Sequence, residues 1–301
     1  MNVRFSPLHA LAAVLVVFVL SPATAFAQTN RVLYVADSVH NAVYAFDAQN
    51  FNAPLLGEIT DGVATPSSIA VDSRGELYVA NTATNDVTVY KHGAASPYRR
   101  IAASKLGIPS ALAIESDDGL VVGYDGNSGR NATLALFSPG AARPARLISI
   151  PLGNNAAITI GAIAIEAGAV YASVMRSPNG PSQILRFAPG SSRGIDIGIA
   201  PGTGESFDAF GNLYVDGGAS VTAYAPDRRE RYAINGVVNG GQLAVERGGT
   251  LFVPNGQRRI CSQFTEPGYV TEYAPGSQNA SSYLMSSYLQ NPVSLALYPA
   301  R

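Results

Sequence analysis

The polar side chains best suited to chemistry in this chain sit in loops that follow short apolar runs. Asp37, His40 and Asn41 form one group, Asn81 and Asn85 a second, and Tyr124, Asp125, Asn127, Arg130 and Asn131 a third. Arg176 and Asn179 follow, then Asp216 in a short loop, then an insert at residues 254–268 carrying Gln257, Arg258, Arg259, Cys261 and Glu266. Glu205 stands apart, near the start of the segment Gly-Glu-Ser-Phe-Asp rather than in a loop. Asn81, Asp125, Glu205 and Asp216 bring the oxygen donors that Ca²⁺ or another hard divalent cation takes. The same residue types also hydrogen-bond a protein, peptide or glycan, so the set establishes no cofactor by itself.

Nucleophilic and transition-metal chemistry have little to work with. Of three histidines, His9 lies within the expected N-terminal leader, which leaves His40 and His92. His92 sits in a Lys-His-Gly turn and reads as solvated. There is no Ser/His/Asp arrangement and no Cys/His cluster with metal-ligand spacing. Cys261 is the single cysteine, so no intrachain disulfide can form.

The elements that must position these loops are strands. In residues 66–90 the apolar run Ile69-Ala70-Val71, the turn Asp72-Ser73-Arg74-Gly75 and the run Leu77-Tyr78-Val79-Ala80 are followed by a polar loop and Val87-Thr88-Val89-Tyr90. β-branched and aromatic runs of this length between Gly, Asp and Asn turns read as an antiparallel meander. Its Leu-Tyr-Val element recurs from residues 33, 77, 120, 170, 213 and 251, at steps of 44, 43, 50, 43 and 38. A period of about 40–45 with four strands per unit is the pattern of propeller blades. The sequence therefore predicts an all-β, six-bladed β-propeller of four-stranded antiparallel blades.

Inner strands are expected at 68–71, 111–114, 162–165, 205–208 and 242–245, rich in small residues because six of them crowd one axis. Blade 1 lacks one. Residues 292–297 match 66–71 in pattern, so the C-terminal strand is expected to complete blade 1 and close the ring, removing two open sheet edges. Outer strands are expected at 98–101, 147–150, 195–199, 231–234 and 282–285. Third strands end in Phe46, Tyr90, Phe137, Phe187, Tyr224 and Tyr273, a repeat position that predicts packing between blades. The Asp72 and Asp208 turns read as hairpin turns, since they lack the alternating oxygen ligands of a Ca²⁺ loop. In this fold the loops between second and third strands open on one face, where binding residues are usually carried.

Arg4, the apolar run at residues 11–20 and Ala25-Phe26-Ala27 have the order of a secretory leader, predicting cleavage before Gln28 and one domain over residues 28–301. No cysteine lies near that point, so no lipid anchor is expected. Export to the periplasm or outside the cell follows, with no membrane span after cleavage. With 20 basic and 21 acidic residues and 14% charged, the chain has no basic surface for nucleic acid or anionic membranes. The pairs Arg99-Arg100 and Arg228-Arg229 read as solvated. Nothing argues for oligomerisation, and a monomer is expected.

The unit P-x-x-[IL]-A-[VI]-[DE]-x-x-G-x-L-Y-V-A-[ND] followed by N-x-V-x-[VA]-[YF], complete in residues 66–81 and 85–90, resembles the NHL-repeat propellers. It is also similar to the regucalcin/gluconolactonase (SMP-30) group and to virginiamycin B lyase. The lactonase resemblance implies a channel metal held by a glutamate, asparagines and an aspartate, with the glutamate in a Glu-Gly-Pro segment. Here that segment is Pro292-Val293-Ser294-Leu295, without an acid. The lyase resemblance implies a channel histidine, for which His40 is the candidate; Glu205 is the acid among otherwise small or apolar inner-strand positions, with Arg186 as one basic neighbour to satisfy it.

Two functions follow. One is an exported NHL-like binding or interaction module whose site, at the channel mouth, draws on Asp37, His40, Asn41, Asn81, Asn85, Tyr124, Asp125, Arg176, Asp216 and Arg258. The other is a divalent-metal-dependent lactonase or lyase at the same mouth. Convergence of three or four oxygen ligands on the axis separates them.

Overall fold

The computed structural model describes residues 31–299 apart from 103–104, 128, 155–156, 179 and 262–263. The leader and Asn179 lie outside the described residues, as do the side chains of Arg259 and Cys261. Six antiparallel sheets carry the six predicted repeats, and no helix occurs among the described residues.

Blade 2 shows the plan. Pro66–Val71 is the inner strand, followed outward by Leu77–Asn81, Asp86–Tyr90 and Arg99–Ala102. The hairpin between the first two strands is set by Asp72, whose Oδ1 accepts the Arg74 and Glu76 N–H groups at 3.0 and 2.8 Å. Gly75 completes that turn at φ +81°, a conformation that glycine adopts without Cβ strain. Asp208 and Gly211 (φ +80°) repeat the device in blade 5. Both are hairpin turns, as expected.

Each of the second strands Val32–Asp37, Leu77–Asn81, Leu120–Tyr124, Leu213–Asp216 and Leu251–Asn255 is buried along its whole length. A strand reads this way when neighbouring sheets cover both of its faces. The apolar core accordingly divides into six clusters, one for each seam between adjacent blades. Five of the six third-strand aromatics are buried in these seams, and Tyr224 is half-buried.

Closure occurs as predicted. Pro292–Tyr298 pairs with Val32–Asp37, setting Leu33 opposite Leu297 and Val35 opposite Leu295. The ring is also tied across the seam from blade 6 to blade 1, where Gln242 N donates to Val293 O at 3.0 Å and Leu295 N to Gln242 O at 2.8 Å. Outer strands form at Arg99–Ala102, Arg146–Ile150, Gly194–Asp196, Glu230–Asn235 and Ala280–Leu284, within a few residues of expectation. Gly57–Ile59, the outer strand of blade 1, was not predicted. Blade 4 gains a fifth, two-residue strand, Gly126–Asn127, from the blade 3 loop.

The arginine pairs are not simply solvated. Arg100 pairs with Asp86 at 2.7 Å. Arg228, half-buried, reaches from blade 5 to Glu166 at 2.7 Å and to the Tyr171 hydroxyl at 2.9 Å in blade 4. A guanidinium can bridge two blades because its donors fan out in a plane while its stem lies on apolar surface. His92, although exposed, stacks against Tyr298 with ring centroids 4.8 Å apart.

Candidate functional site

Two faces result from the meander. The loops between second and third strands, together with the crossings from blade to blade, lie on one face. The turns between first and second strands lie on the other.

On the loop face most of the predicted residues are engaged in the scaffold, while the buried Asn85 Oδ1 and Tyr124 hydroxyl have no hydrogen-bond partner. Asp37, fully buried, accepts the Val39 and His40 N–H groups on Oδ1 and those of Gln290 and Asn291 on Oδ2, at 2.6–3.0 Å. It thereby fixes its own loop and the entry to the closing strand. Asn81 Oδ1 accepts the Ala64 N–H at 2.9 Å, while Nδ2 donates to Asp86 Oδ1 and Thr88 Oγ1. Asn255 repeats this in blade 6, accepting from Val238 N and donating to Thr271 Oγ1. Asn41 and Asn85 adopt left-handed φ of 52° and 53°, where asparagine is favoured among residues with a Cβ. Asn41 Oδ1 also accepts the Thr65 N–H at 2.6 Å. Tyr124 is buried, and burial raises its phenol pKa. Arg176 Nη1 donates to Pro151 O at 3.1 Å.

The four candidate metal ligands belong to separate networks. Asn81 works within blade 2. Asp125 Oδ1 accepts from Ser110 Oγ at 2.6 Å and Ile160 N at 2.9 Å, joining blades 3 and 4. Asp216 accepts from Gly218 N at 2.8 Å and Gly241 N at 3.2 Å, joining blades 5 and 6. Glu205 is held by Ser173 at the seam of blades 4 and 5. Among the described residues no group of three or more His, Cys, Asp or Glu side chains is placed to hold a metal ion. Burial raises the Asp125 pKa against those hydrogen bonds and pushes Asp216 up to about 7.

What the loop face does assemble is a recess of about 170 Å³ beside blades 6 and 1, lined by His40, Gln257, Glu266, Pro267 and Gln290 among others. The insert of blade 6 makes one side of it, folding into its own hairpin, Arg258–Cys261 with Phe264–Glu266. Arg258 is exposed at the hairpin's base, opposite Glu266. His40 Nδ1 lies 2.8 Å from Tyr288 O, and the Tyr288 ring packs at 5.6 Å from Tyr44. Val39, Tyr288 and Met285 are exposed on that side at 43%, 44% and 74%. Tyr288 and Gln290 were not singled out from the sequence. They precede the closing strand, and only the closed ring brings them to the loop of His40.

A second space runs along the axis. It measures about 470 Å³, and its wall is made by the inner strands. None of the ten loop candidates lines it; Glu205 does. Strand register places Ile69, Leu112, Ile163, Glu205 and Leu295 at one level of the ring, so a carboxyl stands where other blades have an aliphatic side chain. Glu205 is fully buried, and Ser173 rather than Arg186 is its partner. Its second oxygen, Oε2, has no hydrogen-bond partner. Desolvation pushes its pKa up to about 8, with the Ser173 contacts opposing the shift.

No protein-family model matches this chain, and no curated protein does. Solved structures do. A protein of unknown function from Bacteroides caccae aligns with a TM-score of 0.71 at 14% identity, covering 89% of this chain and 98% of that one. A chain in the nidogen/laminin complex aligns with a TM-score of 0.63 at 12% identity, covering 90% and 99%. A functionally unknown protein from Desulfotomaculum acetoxidans aligns with a TM-score of 0.52 at 17% identity, covering 83% and 78%. At these identities the likeness shows the fold, and this chain is a six-bladed β-propeller.

Proposed function

We propose that this protein is an exported, monomeric, NHL-like propeller that acts as a binding module, taking a protein, peptide or glycan on the loop face. The observation that carries the reading is the recess beside the blade 6 hairpin. There exposed Tyr288, whose carbonyl lies 2.8 Å from His40 Nδ1, borders a recess lined by His40, Gln257 and Glu266, on a scaffold most of whose other loop polar groups are engaged internally. Exposed aromatic and apolar side chains next to hydrogen-bonding groups form the usual core and rim of a recognition surface. The nidogen/laminin neighbour shows that this architecture occurs in a protein complex. The NHL-like assignment rests on the motif at residues 66–81 and 85–90, and export on the leader at residues 1–27.

The test compares residues 28–301 with a variant in which residues 258–266 are replaced by a short Gly-Ser turn. Both are immobilised and exposed to the envelope and secreted fraction of the source cell. A ligand retained by the first protein and lost from the second, with melting unchanged, supports the reading. Identical capture by both contradicts it.

A further inference from the structure

The axial cavity opens on the face opposite the loops, at a mouth where Ser73, Ser116 and Pro299 are exposed. Its space has a cause in the sequence. Ala70, Ala113, Ala164, Ala244 and Ala296 share one level of the ring, and blade 5 has Ser206 there. Six small side chains at one height leave the axis open. The next level inward carries the buried aliphatic ring, interrupted by Glu205. At about 470 Å³, with aliphatic inner-strand side chains along its wall and polar groups that include Ser116, Asp118, Ser206 and Gln242, the cavity has the size of a small-molecule site.

Its charge has one sign. Among the described residues, the acids in the wall are Glu115 and Asp118 near the mouth and Glu205 further in, and no lysine, arginine or histidine lines it. Asp118 is engaged by Ser73, which donates from both N and Oγ at 2.9 and 2.7 Å. Glu115 is half-buried, and its pKa is raised first by burial and then by Asp117. Low-dielectric walls lined by acids concentrate positive charge at a mouth. Glu205 is the second, independent feature. A buried carboxyl oxygen without a partner is costly, and a ligand N–H donor removes that cost.

We propose that the axial cavity is a second binding site, for a small organic ammonium ion with an apolar body. The body lies along the alanine level, the ammonium is held at Glu205, and Glu115 and Asp118 favour entry of the cation. Binding of the ammonium draws Glu205 into its ionised form, so a proton leaves the protein as the ligand enters.

The test is calorimetric titration of residues 28–301 at pH 7 with hexylammonium, hexanol and hexanoate, three probes of one shape and different charge. Measurement in two buffers of different ionisation enthalpy reads proton release. Hexylammonium is expected to bind at least tenfold more tightly than hexanol, with release approaching one proton, and hexanoate is not expected to bind. Glu205→Gln should reduce hexylammonium affinity about tenfold, abolish proton release and leave hexanol unchanged. Ala164→Phe should block both hexylammonium and hexanol; if that variant does not fold, Ser206→Phe serves the same purpose. Equal affinity for hexylammonium and hexanol overturns the proposal. So does unchanged hexylammonium binding in Glu205→Gln, or no heat with hexylammonium at millimolar concentration. Because this site lies on the other face, loss of the hairpin at residues 258–266 leaves these results unchanged.

Discussion

Ser173, on the second strand of blade 4, holds one oxygen of the Glu205 carboxyl on the inner strand of blade 5, and the other oxygen is unpartnered. The same hydroxyl accepts the Gly202 N–H at 2.9 Å. A side chain–side chain pair thus crosses this seam at the ring level where the other blades carry an aliphatic residue in place of Glu205.

That relationship fixes a pH dependence. Glu205 is held at about 8, against an ordinary carboxyl value of 4.5. Between those values the folded state keeps a proton that the unfolded state has lost, so stability declines as pH rises through the interval. The decline is complete above about pH 8 and absent below the unfolded value. Thermal melts should show the wild-type midpoint falling from pH 5 to pH 8.5, with a shallower fall in Glu205→Gln. Parallel profiles for the two proteins would remove Glu205 as the source.

Replacing the carboxyl with the residue type of the other blades should stabilise the ring. Glu205→Leu is expected to gain about 1–3 kcal/mol at pH 8, the cost of a buried polar group left without a partner. Urea unfolding at that pH measures it. A loss of stability would show that Ser173 and Glu205 hold the seam better than packing does.

Ring closure makes the C-terminus a structural element. Removing residues 292–301 takes the inner strand from blade 1 and should abolish the cooperative melt. The milder Leu295→Ala, at a fully buried side chain in the seam of blades 6 and 1, should cost about 2–5 kcal/mol. A truncated chain that melts like the full one would contradict the closure.

Asn81 and Asn255 fasten the chain entering each blade to the end of its second strand. Asn81→Ala leaves the Ala64 N–H and the Asp86 and Thr88 oxygens short of a partner, and should cost about 1–3 kcal/mol. Denaturant unfolding gives the number. An effect below about 0.5 kcal/mol would mean that the network carries no net stability.

The repeat was legible because Leu-Tyr-Val marks the second strand, the element most fully buried from both sides. Closure was legible because residues 292–297 repeat the pattern of residues 66–71. The site was less so. An Asp or Asn at a strand end looks the same whether it binds a ligand or caps a loop, and Asp37, Asn81 and Asn255 are occupied by backbone and side-chain partners brought together by the fold. The axial space was hidden for a different reason. Small residues on inner strands imply crowding at the axis. Only the register shows that five alanines and Ser206 share one height and leave room. Glu205 stands out at both levels, because an acid at a repeat position that is small or apolar in the other blades is conspicuous in the sequence and an unpartnered carboxyl oxygen is conspicuous in the fold.

The central claim is that ligand binds on the loop face. A photo-crosslinking amino acid placed at Tyr288, exposed beside the recess, tests it against the same group at Phe210, 70% exposed in a turn on the opposite face. Irradiation in the source cell's envelope and secreted fraction should give a discrete adduct from position 288 and none from position 210. Adducts from position 210 alone, or equally from both, would contradict the assignment.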